Sequence, residues 1–250
     1  MEIVGLSWSV VSALSQLGPE VYSHQDIPVF GSLAAWADTI KENFDNHFWI
    51  GSKAGAQIES NPQYVNRTGL YKDSVGSGQG WTDYQLRPNQ VISLALAQDI
   101  LHPEHVRVAL DTLVTRLLGP LGLATLDPED WAYRGDYDNS DQSRDKTVAH
   151  GANYHQGPEW VWPVGFLMRA MLRLASKLPG PESERLRSQV RAILARLYSH
   201  LATSAWLGLP ELTNRAGREC RDSNPVQAWS LATVLDTLYD MDSLGVKLES

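Results

Sequence analysis

With 250 residues, 43% hydrophobic and 20% charged, the chain is long enough to bury a real core, and one domain is expected. Its 21 Lys and Arg against 29 Asp and Glu give a formal net charge of −8, which repels phosphate backbones and anionic lipid, so nucleic acid and membrane are poor partners. No apolar run reaches the length of a membrane span, Met1-Glu2-Ile3-Val4-Gly5 carries no basic leader, and Cys220 stands alone, so a cytoplasmic chain without an intrachain disulfide is expected.

In chain order, Ile3 to Leu17 places apolar and small residues at helical spacing before Gly18-Pro19, a pair that stops a helix. Ser32 caps a second helix striped by Leu33, Trp36, Ile40 and Phe44 and fading near Trp49. Gly51 to Asn89 is polar and reads as a flexible surface loop. Its Gly76, Gly78 and Gly80 have neither the Lys-Ser/Thr of a P-loop nor a dinucleotide-type strand before them, so phosphate cradling is rejected. Gln90 to Leu101 reads as a short helix, and Pro103 opens the next, with Val106, Leu110, Leu113, Val114 and Leu117 on one face before Gly119-Pro120.

Leu121 to Gly157 is irregular and mixes Asp127, Glu129, Asp130, Asp136 and Asp138 with Trp131, Tyr133 and Tyr137, which suggests a site. Helical spacing resumes from Glu159 to Leu178, with a start near Trp160 and Pro163 in the first turn. Glu182 to Ala202 is amphipathic, with Leu186, Val190, Ile193, Leu194 and Leu197 inside and arginines mostly outside. Pro225 opens a last helix through Ala228, Leu231, Leu235 and Leu238. No stretch alternates with period two, so the chain is predicted all-α, with about seven helices. Trp8, Trp36 and Trp229 lie in periodic segments and are expected to fill the core. If the helices alternate up and down, Gly51–Asn89, Leu121–Gly157 and Trp206–Asn224 emerge at one end, where a site built from loops would lie.

Two motifs carry chemistry. Asn153-Tyr154-His155-Gln156-Gly157-Pro158-Glu159-Trp160-Val161-Trp162-Pro163 sets hydrogen-bonding groups beside flat rings, as a sugar's hydroxyl edge and CH face require. Gly208-Leu209-Pro210-Glu211-Leu212-Thr213-Asn214 adds an acid in the next long loop, and the two are expected to meet across a cleft that holds a glucan. His155 reads as a sugar contact or a loop histidine, and Glu159 as a sugar contact or a support for Glu211. Asp73, Asp83, Arg87 and Asp138 read as substrate contacts or loop-bracing partners. His150 and His155 lack a His-Glu-x-x-His helix, there is no Gly-x-Ser-x-Gly, and Cys220 has no local family signature, so neither zinc nor a serine or cysteine nucleophile is supported.

Tyr71-Lys72-Asp73, Asp83-Tyr84-Gln85-Leu86-Arg87-Pro88-Asn89, Gly119-Pro120-Leu121-Gly122, Thr125-Leu126-Asp127-Pro128 and Tyr137-Asp138-Asn139, with the two motifs above, follow one another in an order that resembles the C-terminal glucosidase region of eukaryotic glycogen debranching enzymes. The resemblance runs through essentially the whole chain. It implies a glucoamylase-type (α/α)6 barrel, of which this chain is the C-terminal portion. It also implies amylo-α-1,6-glucosidase chemistry on glycogen or a limit dextrin, with inversion, two carboxylates, and neither metal nor cofactor. Glu211 matches the family's general base. Asp73, Trp81, Asp83, Arg87, Tyr137, Asp138, His155, Gln156, Glu159 and Trp160 are the candidate substrate-binding residues.

The family's general acid is an Asp in a Trp-Met-Asp motif upstream of the segment matching Glu2-Ile3-Val4-Gly5-Leu6, and no Trp-Met-Asp occurs here. The N-terminal part of the barrel and the glucanotransferase region are therefore expected outside residues 1–250, on the same or another chain. Two functions follow: a glucosidase region that acts only with that missing half, or a non-catalytic glucan-binding remnant.

Overall fold

The computed structural model describes residues 1–17 and 29–248. Among these, helices dominate: α1 (Glu2–Ser15), α2 (Leu33–Phe48), α3 (Lys53–Gln57), α4 (Gln90–Leu96), α5 (Pro103–Arg116), α6 (Trp162–Lys177), α7 (Gly180–Thr203) and α8 (Ala228–Ser243). Seven follow the expected periodicity, and α3 is a single turn inside the polar stretch. The predicted stop at Gly18-Pro19 lies outside the described residues. The other boundaries have visible causes. Ser32 Oγ accepts from Ala35 N at 3.1 Å, satisfying one of the free donors at the start of α2. His102 Nδ1 accepts from Glu104 N at 3.3 Å, and Pro103 fills a position where no donor is needed. None of the described helices is long and apolar enough to cross a membrane.

The helices α1, α4, α6 and α8 lie side by side in that order, with α2 packed on α1, and α5 and α7 on α6. The α1–α4 and α6–α8 seams share one device, a glycine facing a hydroxyl residue. A Cβ at Gly5 would overlap Ser93, and one at Gly165 would overlap Thr233, so each pair approaches almost to backbone contact. Burying those hydroxyls is tolerable because each has a partner. Ser93 donates to the Met1 carbonyl at 3.2 Å, Thr233 to that of Trp162 at 2.9 Å, and Thr237 to that of Gly165 at 3.1 Å.

This seam corrects the expected face of α8. Ser230, Thr233, Val234, Thr237 and Met241 are buried, whereas Leu235 is 67% and Tyr239 73% exposed. The glycine in α6 selects the small face of α8 and turns Leu235 and Leu238 outward, while Leu231 stays partly buried at the edge of the core. Trp229 is half exposed and stacks on Trp162 at 4.2 Å, and Trp8 and Trp36 are only partly buried, so none of the three is a core filler.

Five two-residue strands among the described residues, too short to show alternation, were absent from the all-helical expectation. β1 (Trp49–Ile50) pairs with β2 (Leu70–Tyr71), and β3 (Leu123–Ala124), β4 (Glu159–Trp160) and β5 (Leu212–Thr213) form an antiparallel sheet in that order. Glu159 and Trp160 are thus strand residues rather than the first turn of α6. Pro163 in its opening turn fixes where the helix can begin. Gly51–Asn89 is also not a loose surface loop. Leu70, Tyr71, Lys72, Asp83, Tyr84, Gln85 and Leu86 are buried, and Asp83 gathers the glycine-containing turn onto itself.

Candidate active site

The short sheet brings the two chemical motifs together. Trp160 pairs with Leu212 and Glu159 with Thr213, so the Tyr154–Trp162 segment runs directly against the one containing Glu211. Val161 N donates to Glu211 O at 3.1 Å, and Glu211 N donates to Asn224 O at 3.0 Å. Ser230 at the start of α8 reaches back to Pro210 O at 2.8 Å. The backbone at Glu211 is therefore held from both sides and from α8.

The Glu211 side chain is buried, and both of its oxygens have partners. The Tyr154 hydroxyl donates to Oε1, and Asn224 donates to Oε2 through its side-chain amide at 3.1 Å and its backbone N at 3.3 Å. Burial and the bond to Glu211 push the Tyr154 phenol above its usual range, so it remains a donor. The Tyr154 ring lies 4.9 Å from Tyr137 and 4.8 Å from both His155 and Trp160. His155 stacks on Trp160 at 5.1 Å, and Trp160 Nε1 donates to Tyr154 O at 3.0 Å. These four rings form an aromatic cup beside one carboxylate. Burial and the nearby Arg87 lower the His155 pKa from 6.5 against the opposing pull of Glu211, leaving a neutral imidazole able both to donate and to accept.

Other predicted site residues occupy a supporting layer. Arg87 donates to Gln85 Oε1, to the carbonyls of Thr125 and His155, and to Gln156 Oε1 at 2.7 Å, tying the cup to the 71–89 segment. Asp83 accepts from Ser74 Oγ, Gly76 N and Ser77 N; although burial works the other way, these bonds hold its pKa below the usual carboxylate value. Asp73 accepts from Asn89 Nδ2 at 2.8 Å, and burial raises its pKa. Asp138 is exposed and caps its own turn through Ser140, and Trp81 sits edge-on to Trp131, away from the Glu211 contacts.

Glu159 is buried, with Oε1 accepting from Ala216 N at 2.8 Å and Oε2 from Gly217 N at 3.1 Å and Thr213 Oγ1 at 3.2 Å. Its carboxylate pins the turn that follows Glu211. A side chain at Gly119 would overlap it, which explains a glycine there. Burial raises the Glu159 pKa, with the three donors opposing. Sequence reasoning passed over Asn224 and the role of the Tyr154 hydroxyl. Asn224 marked only the end of the long loop before Pro225, and Tyr154 lies 57 residues from its carboxylate partner. No cluster of His, Cys, Asp and Glu among the described residues could hold a metal ion.

The family model for amylo-alpha-1,6-glucosidase matches residues 1–236. The glycogen debranching enzyme of Saccharomyces cerevisiae is 37% identical over 217 residues, which cover 82% of this chain and 14% of that protein. The chain thus spans about one seventh of the length of this curated relative. With a match over nearly its whole length, the chain belongs to the amylo-alpha-1,6-glucosidase family.

Proposed function

We propose that residues 1–250 are the C-terminal part of a glucosidase unit that hydrolyses the α-1,6-linked glucose left at the branch points of a limit dextrin, in cytoplasmic glycogen breakdown. Supporting this most directly is one observation: the Glu211 carboxylate, fixed on both oxygens, lies beside the cup of Tyr137, Tyr154, His155 and Trp160. In inverting hydrolysis, one carboxylate takes a proton from water as it attacks the anomeric carbon. A second carboxyl group, roughly 6.5–9.5 Å away, protonates the departing oxygen on the opposite face. Glu211 Oε1 accepts only from Tyr154 and so retains a lone-pair direction that can orient water, while Tyr154 and the two Asn224 donors on Oε2 hold the carboxylate still. The half-buried Tyr137 and Tyr154 rings and the exposed His155 offer a stacking face to the sugar, with the buried Trp160 behind them, and neutral His155 offers a donor and an acceptor to its hydroxyls.

The general acid, in this proposal, comes from a Trp-Met-Asp segment outside these residues, and the toroid closes with the helices that accompany it. Asp73, Asp83 and Glu159 are poor substitutes because each carboxylate already braces a loop. Proton NMR of the first glucose released from a limit dextrin by the full-length protein tests the reading. The β-anomer is expected; initial α-glucose, or no glucose, would overturn it.

A further inference from the structure

Outside the Glu211 cup, the acidic-aromatic loop after β3 meets the 62–85 segment around a cavity of about 220 Å³ that the chemistry above does not use. Gln63, Tyr64, Asn66, Trp81, Asp130 and Trp131 line it. The Trp81 and Trp131 rings meet edge-on at 5.3 Å, and Trp131 is 68% exposed.

The segment that carries Trp131 is tightly held. Asp130 Oδ1 accepts from Ala132 N at 2.8 Å, and Asp127 Oδ1 accepts from Glu129 N at 3.0 Å. The backbone closes two turns, Asp130 N to Asp127 O and Tyr133 N to Asp130 O, and Arg134 donates to Trp131 O at 3.1 Å. Trp81 lies in the short turn Gly80–Tyr84, which Asp83 and the Tyr84 hydroxyl anchor. Both rings are therefore presented on preorganised backbone, so a ligand stacking on them need not order the loops. Within the described residues, the Gln63 and Asn66 side chains make no hydrogen bond, which leaves amide donors and acceptors beside the rings. Rings with free amides and a carboxylate, in a space the size of one pyranose, suit a sugar's apolar face and hydroxyl edge.

A chain of side chains leads from this cavity to the cup: Gln85 donates to Asp130 at 3.2 Å, Arg87 donates to Gln85, and Arg87 donates to Gln156 beside His155. A ligand engaging both places must be an oligosaccharide rather than a single glucose. We propose that the Trp81–Trp131 cavity is a second glucan subsite, holding a glucosyl unit of the α-1,4-linked chain that carries the branch. The pairing of this subsite with the cup rests on the glucosidase reading; binding of an α-1,4-glucan at Trp131 does not.

The test labels the full-length protein with 5-fluorotryptophan, assigns the Trp131 fluorine resonance with Trp131→Phe, and titrates in maltoheptaose. The Trp131 resonance shifts saturably, and Trp131→Ala raises KM for a branched dextrin about three- to tenfold while leaving kcat and the hydrolysis of α-glucosyl fluoride unchanged. Trp131→Tyr restores most of the KM. A Trp131 resonance unmoved by saturating maltoheptaose overturns the subsite. If the resonance moves but the wild-type protein releases no glucose, the glucosidase reading falls and the subsite stands. If it moves while Trp131→Ala leaves KM for the branched dextrin unchanged, the pairing with the cup is refuted.

Discussion

Replacing Glu159 with glutamine keeps the shape of the side chain but turns one acceptor oxygen into an NH2 group. Both wild-type oxygens face donors, Ala216 N at 2.8 Å on one side, and Gly217 N and the Thr213 hydroxyl on the other. Whichever way the amide is turned, at least one backbone N–H meets a donor. An unsatisfied buried N–H costs about 1–3 kcal/mol, and that is the expected loss of local stability in the turn after Glu211. The loss should depend on pH. Burial raises the folded-state pKa of Glu159 above its ordinary 4.5, so the folded state favours the protonated acid. Stability from this group is fully present below 4.5 and is lost as the pH rises through the folded value. Glutamine does not titrate, so the deficit of the variant is largest near the acid end and narrows towards neutrality. Hydrogen exchange of residues 212–218, corrected for intrinsic rates at each pH, measures it locally. A deficit below about 0.5 kcal/mol throughout would refute the bracing role, and one that widens with rising pH would refute the raised pKa.

Three further outcomes are expected. Gly165→Ala drives a methyl group into the Thr233 backbone across the α6–α8 seam, which should destabilise the protein by about 1–3 kcal/mol or more in urea unfolding; a neutral result would mean the two helices are not in close contact. Tyr154→Phe keeps the ring packing but deletes the hydroxyl that orients Glu211, so kcat should fall about ten- to a hundredfold with little change in KM, the worth of a hydrogen bond to a charged group. An unchanged kcat would remove Tyr154 from the machinery. Residues 1–250 expressed alone should release no glucose from a limit dextrin, and release that disappears on Glu211→Gln would place the acid within them.

The helices were legible wherever a local signal coincided with a stripe. Ser32 ahead of Leu33 and Trp36, Pro103 ahead of Val106, and the leucines of α7 needed no partner to be recognised. The burial of α8 was not legible, because its orientation depends on Gly165, more than sixty residues away, and a Ser-Thr-Thr face looks exposed until a glycine is set opposite it. The strands escaped notice because two residues cannot display a period. In the site, the residue types of the Tyr154–Trp160 motif were visible, and Glu211 stood out as a candidate by family resemblance. What each carboxylate contacts was not visible. Glu159 and Glu211 look alike in sequence, yet one accepts from the backbone of a turn and the other from Tyr154 and Asn224 across the chain. Asp83 likewise became a brace only once the turn carrying Gly76 folded over it.

In the proposed reaction Glu211 activates the attacking water. Glu211→Gln in the full-length protein preserves the shape of the side chain while removing its basicity. Glucose release from a phosphorylase limit dextrin should fall by about 10²- to 10⁴-fold, with dextrin binding retained. Near-normal release by that variant would contradict the account.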